Sequence, residues 1–135
     1  MGRRRDRPAP VKGLTFDAGA LIAVDRGNES VRALLTQAAA RQIWIVIPTG
    51  ALAQAWRDGS RQARLAALLK NDLVLVEDLT RARAQAVGVL CGLRGTDDAI
   101  DAFVALIARQ YGGTVITGDP TDLRKLDPSL EIVTV

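Results

Sequence analysis

The chain reads as an α/β domain: a three-layer α/β/α sandwich around a mostly parallel sheet of about five strands. Short β-branched or apolar runs alternate with longer stretches of helical periodicity. The clearest run, Ile43-Trp44-Ile45-Val46-Ile47, is unbroken and not alternating, as expected of a strand covered on both faces. At 135 residues the chain has the size of one domain, with room for a core that needs no disulfide or zinc.

Residues 1–12 are arginine-rich and broken by Pro8 and Pro10, which predicts a disordered basic tail ahead of a single domain over 13–135. Gly13-Leu14-Thr15-Phe16-Asp17 is a short buried strand that ends in an acid, and Ala18 to Val24 opens a helix. Asn28 or Ser30 caps a helix over 29–41. The strand at 43–47 is stopped by Pro48, and Thr49 caps a helix running to Arg57, with Asp58-Gly59 as its stop. Residues 60–69 read as a helix with Leu65, Leu68 and Leu69 inward and Arg61 and Arg64 outward. Leu73 to Val76 is a third strand, and 80–93 a helix with Val87, Leu90 and Cys91 inward. A further helix follows Gly95 and ends at Tyr111-Gly112-Gly113. Thr114 to Thr117 is a fourth strand, Pro120 begins a short helix that Asp119 can cap, and 130–135 is the last strand. Right-handed crossovers then give the mostly parallel sheet.

Composition narrows the chemistry. There is no histidine, which excludes Ser-His-Asp and Cys-His catalysis and the usual zinc-hydrolase ligand sets. Cys91 is the only cysteine, so no internal disulfide forms; this fits a reducing, cytoplasmic compartment. Residues 1–12 hold no apolar run long enough for a signal peptide or a membrane span. Any reaction must run on carboxylates, and hard oxygen donors point to Mg²⁺ or Mn²⁺. The net charge of +3 and the excess of arginine over lysine suit phosphate contacts without requiring them.

The helix after Gly95 organises the rest. Between Asp101 and Arg109 it carries no charge, and apolar residues recur all around it, so it is expected to be largely buried. Asp98 and Asp101, three positions apart, leave the same side near its start. Thr96 or Asp97 can serve as the N-cap, and the helix dipole offsets part of the cost of the acids. Capping does not account for Asp101, which lies beyond the first free amides. Two carboxylates on one face of a buried helix repel unless a cation sits between them, and a divalent metal is the economical solution. Asp17 and Asp119, each at the carboxyl end of a strand, can converge on the same edge, where open parallel sheets gather their ligand sites.

These residues resemble the PIN-domain ribonucleases, in particular small VapC-like toxins of type II toxin–antitoxin pairs. The resemblance spans 13–135 and is carried by Leu14-Thr15-Phe16-Asp17-Ala18-Gly19-Ala20-Leu21-Ile22, by Pro48 through Trp56-Arg57, by Ile100-Asp101-Ala102 and by Val115-Ile116-Thr117-Gly118-Asp119-Pro120-Thr121-Asp122-Leu123. It implies a PIN-like fold and a metal-dependent endoribonuclease in which Asp17, Asp101 and Asp119 are metal ligands. Asp98 matches the extra acid one turn before Asp101, as a direct or water-mediated ligand. Thr117 fits the hydroxyl of the family's Thr-x-Asp pattern, and Asp122 is a supporting acid farther out. The resemblance further implies an RNA substrate, a homodimer and a small VapB-like antitoxin.

The chain departs from the family pattern twice. Gln54 stands where the family has glutamate, which removes one negative charge while keeping a carbonyl oxygen. Ala18-Gly19 supplies no polar side chain after the first acid. A catalytically weakened PIN-like protein that binds RNA or a partner is therefore the alternative reading. Receiver domains and aspartyl-phosphate phosphatases fit poorly, because no adjacent acidic pair closes the first strand and Gly19 stands where a phosphatase of that kind would carry its second acid.

Overall fold

The computed structural model describes residues 12–135, so the expected basic tail lies, apart from Lys12, outside the described residues. Strand β1 (Gly13–Phe16) is followed by α1 (Ala18–Asp25) and α2 (Glu29–Ala40), and β2 (Trp44–Pro48) by α3 (Thr49–Ala55) and α4 (Ala63–Leu69). Then come β3 (Val74–Glu77), α5 (Arg81–Arg94), α6 (Ala99–Gln110), β4 (Thr114–Thr117), α7 (Pro120–Leu126) and β5 (Glu131–Thr134).

The strands form one five-stranded sheet in the order β3-β2-β1-β4-β5, and every neighbouring pair is parallel. The chain winds outward from β1 to β3, then crosses back to lay β4 on the free side of β1. Right-handed crossovers put α1 to α4 on one face and α5 to α7 on the other. In keeping with this, α1 packs on α2, α3 and α4, whereas α6 packs on α5, α7, β1 and β4. The winding reverses between β1 and β4, and the crevice beyond their carboxyl ends is where such a sheet can hold a ligand.

Burial explains the element choices. Val46, Ile47, Val115 and Ile116 are wholly inaccessible, as the unbroken apolar strands require. Leu21, Val31 and Leu65 fill one layer, and Phe103, Val104 and Ile107 the other. Full burial of a side chain of this kind contributes about 1.5–3 kcal/mol. Helix α6 is buried almost all round, with Ala102, Phe103, Val104, Ala105, Ile107 and Ala108 out of solvent, as its uncharged run predicts. Close packing reaches its N-terminal end, where a side-chain carbon on Gly50 of α3 would meet Ile100 Cδ1 at 2.9 Å.

Several boundaries differ from the sequence expectation, each for a local reason. Residues 60–62 are not helical: Asp58 Oδ1 accepts from Ser60 N–H at 3.0 Å and from its hydroxyl at 2.7 Å, which closes a turn that competes with helix. Gln62 then bridges the bend, accepting from Arg57 and Asp58 N–H and donating to the Ala55 carbonyl. Helix α3 accordingly ends at Ala55, short of Arg57. Thr49 does not cap α3; its hydroxyl accepts from Leu79 N–H at 3.1 Å, tying the end of β2 to the segment after β3. Between the two alternatives for α2, Asn28 is the cap, accepting from Val31 N–H.

Candidate metal centre

Asp17 directly follows β1 and is 7% exposed. It caps α1, its Oδ1 accepting from Ala20 N–H at 2.8 Å, while its Oδ2 accepts from the Thr117 hydroxyl. Thr117 is the last residue of β4, the strand next to β1, and its Oγ1 also accepts from Asp119 N–H at 2.9 Å. One buried hydroxyl thus fixes both strand ends to each other. Burial pushes the Asp17 carboxyl above its ordinary range, opposed by the hydrogen bonds from Thr117 and from the N–H groups of Ala20, Gly118 and Gly19.

The glycine after Ala18 has a structural reason. A Cβ on Gly19 would stand 3.0 Å from Gly118 N and 3.2 Å from Gly118 Cα, so the first turn of α1 and the loop after β4 meet backbone to backbone. A polar side chain at position 19 would force these strand ends apart. The sequence shows a small residue here, but its partner, 99 positions away, becomes visible only with the strand order.

On the opposite layer, α6 begins at Ala99, and Asp98 is its N-cap, accepting from Asp101 N–H at 3.0 Å. This corrects the expectation of Thr96 or Asp97 as the cap. Thr96 acts one step earlier, its hydroxyl accepting from Asp98 N–H at 3.1 Å. Asp101, half-buried in the first turn, then meets acids from two further elements. Carboxylate oxygens of Asp98, Asp101 and Asp122 of α7 lie within 4.8 Å of one another. Asp101 is pushed up to about 7, first by burial, then by the charge of Asp98 and a hydrogen bond with it, and by the charges of Asp17 and Asp122.

Asp101 is therefore the point at which the carboxylates of three segments converge. Among the described residues, none of Asp17, Asp98, Asp101, Asp119 and Asp122 is ion-paired with lysine or arginine. Among the described residues this repulsion is left unanswered. Oxygen-only donors at this spacing suit a hard divalent cation such as Mg²⁺ or Mn²⁺ and lack the sulfur and imidazole that favour softer metals.

Two sequence-derived residues stand apart from the cluster. Asp119 is exposed and caps α7, its Oδ1 accepting from Thr121 N–H at 3.3 Å, and it is not among the three acids grouped around Asp101. Gln54 is exposed on α3, one turn beyond Gly50, and makes no hydrogen bond to the acids. Asp122, expected as a supporting acid, lies within the group. The cue in the sequence is Pro120: it marks the first residue of α7 and so places Asp122 in the first turn of that helix.

No protein-family model matches the chain, and no curated protein does. Among solved structures, a chain of the crystal structure of VapBC2 from Rickettsia felis bound to a DNA fragment from their promoter superposes with a TM-score of 0.66. The identity is 16%, and the match covers 90% of this chain and 98% of that one. At this identity the likeness is one of fold: a three-layer α/β/α arrangement of PIN-like topology.

Proposed function

We propose that the chain is a metal-dependent endoribonuclease that hydrolyses RNA phosphodiester bonds, and that it is the toxin of a VapBC-type toxin–antitoxin pair. The observation that carries this reading is the meeting of Asp98, Asp101 and Asp122 at the carboxyl edge of the sheet, with Asp17 close enough to raise Asp101 further and, among the described residues, no basic side chain paired to any of them. A binding surface for RNA would gain nothing from such a set of like charges. A divalent cation bound there would activate water and neutralise charge on the phosphodiester, which removes the need for histidine.

In this reading Asp101 is the central ligand. Its carboxyl holds a proton more firmly than usual, so binding the ion releases that proton and becomes tighter as pH rises through about 7. Asp98 is held by its bond to Asp101 N–H, which uses Oδ1 and leaves Oδ2 for the ion. Asp122 closes the group from α7, and Asp17, just after β1 and steadied by Thr117, adds its charge to the field on Asp101. Asp119 stands beside Thr117 at the same edge and caps α7, available to a second ion or its water.

The fold likeness to VapBC2 supports a VapB-like antitoxin as partner. Among the described residues no helix is long and apolar enough to cross a membrane, which agrees with a cytoplasmic site of action. A homodimer would also account for Val89 and Leu93, 64% and 77% exposed one turn apart on α5. Gln54 favours the second reading, a PIN-like module that binds RNA or a partner and cuts poorly. The experiment is cleavage of a mixed structured RNA by partner-free protein with Mg²⁺, with Mn²⁺ and with chelator, beside Asp101→Asn as the contamination control. Metal-dependent cleavage lost in the control is expected. An inert wild type beside an active Gln54→Glu variant would replace the nuclease by the binding module.

A further inference from the structure

Next to the acids lies a cavity of about 400 Å³, between the end of α5, the start of α6 and the helix α7. Asp98 and Asp122 line it together with Arg94, Lys125 and Thr96. Arg94 is the last residue of α5, and Lys125 lies in the last turn of α7. A cation at a helix C-terminus is favoured by the dipole, which explains each of them singly. It does not explain why both line the same cavity as the carboxylates. Nor does it explain why, among the described residues, neither makes a hydrogen bond or an ion pair although Asp97, Asp98 and Asp122 share the cavity.

Cations and carboxylates held in one cavity without pairing fit a ligand that comes between them. We propose that Arg94 and Lys125 form a phosphate-binding clamp for the RNA strand, seating the phosphodiester that borders the acidic centre. The inference rests on the nuclease reading and deepens it by naming which of the many basic residues hold substrate. A phosphodiester carries one negative charge on two free oxygens. Both free oxygens face Arg94 and Lys125, while the strand runs on toward Asp98 and Asp122, whose charge would be neutralised by a bound cation. Arginine suits this role because its planar fork meets two oxygens at once, and lysine adds a point charge. The volume lies within the range of sites that enclose a nucleotide-sized group.

The test is binding, not turnover. The anisotropy of a fluorescein-labelled 12-nucleotide single-stranded RNA is followed in Ca²⁺ at several salt concentrations. Wild type is compared with Arg94→Gln/Lys125→Gln, with the charge-keeping Arg94→Lys/Lys125→Arg, and with Arg32→Gln/Arg61→Gln as a distant control of equal charge loss. The clamp variant is expected to bind at least tenfold more weakly and to flatten the dependence of log K on log salt by about 0.7, the share of one phosphate contact on a single strand. The charge-keeping and distant variants are expected to retain most of the affinity. A clamp variant that matches the distant control in affinity and slope overturns the inference and leaves the nuclease reading standing. Wild-type protein that binds no RNA overturns both.

Discussion

Replacing Asp101 by asparagine should stabilise the metal-free protein at alkaline pH and do nothing of the kind at acid pH. The folded state holds the Asp101 proton up to about 7, whereas the unfolded chain releases it near the ordinary value of 3.8. Below about pH 4 the carboxyl is protonated in both states and costs nothing. As pH rises toward 7 the unfolded chain loses the proton first, so folding becomes less favourable, and the loss is complete above about 7. At ~1.36 kcal/mol for each pH unit the full interval would amount to about 4 kcal/mol. Because Asp101 is half exposed, solvent screening reduces this to about 1–2 kcal/mol. Asparagine removes the charge, keeps the shape and can donate to Asp98. In chelator at pH 8 it should therefore raise Tm by about 3–10 °C for a domain of this size. Saturating Mn²⁺ should reverse the order, since an ion at a hundred times its Kd adds about 2.7 kcal/mol to wild type alone. Thermal melts by circular dichroism at pH 4 and pH 8, with and without metal, read this directly. An Asn variant that is no more stable than wild type at pH 8 in chelator would mean that the Asp101 charge costs the fold nothing, and equal stabilisation of both proteins by metal would mean that Asp101 is no ligand.

Asp122→Asn should weaken Mn²⁺ binding by about tenfold or more, and Asp119→Asn by no more than about threefold, because only Asp122 shares the group around Asp101; isothermal titration decides, and the reverse order would return the ligand role to Asp119. Gly19→Ala should destabilise the fold by about 1 kcal/mol although helix propensity alone favours alanine by a similar amount, because the new Cβ meets the Gly118 backbone at 3.0 Å. A stabilised variant in urea unfolding would mean the two strand ends can part freely. Leu93→Asp should leave the far-UV circular dichroism unchanged, since Leu93 is 77% exposed on the single chain, while sedimentation changes from dimer to monomer; wild type that sediments as a monomer would remove the homodimer.

Strand cores and the buried α6 were legible in the sequence because their signal is local: an apolar run, or an uncharged helix, means the same thing wherever the chain puts it. The caps were less legible. Thr49 and Thr96 carry the right hydroxyl at the right place, yet one bonds a loop 30 positions away and the other supports a neighbouring cap. Side-chain chemistry alone does not choose between competing N–H donors. The acids of the candidate centre were all identifiable, since carboxylates at strand ends and at the start of a buried helix are conspicuous. Which of Asp119 and Asp122 turns toward Asp101 was not legible, because both sit within one turn of a seven-residue helix whose orientation is set by packing on α6. The cavity lined by Arg94 and Lys125 belongs to the same class: two residues 31 positions apart become neighbours only when α5 and α7 pack together.

In the proposed function Asp98, Asp101 and Asp122 hold a divalent cation. A crystal of the protein grown in Mn²⁺, measured for anomalous scattering, locates that ion without any assumption about substrate. A peak among Asp98, Asp101 and Asp122, within about 2.0–2.3 Å of their oxygens, is the expected result. An anomalous map with no peak there at saturating Mn²⁺, in a protein folded at pH 8, would mean that these acids hold no metal.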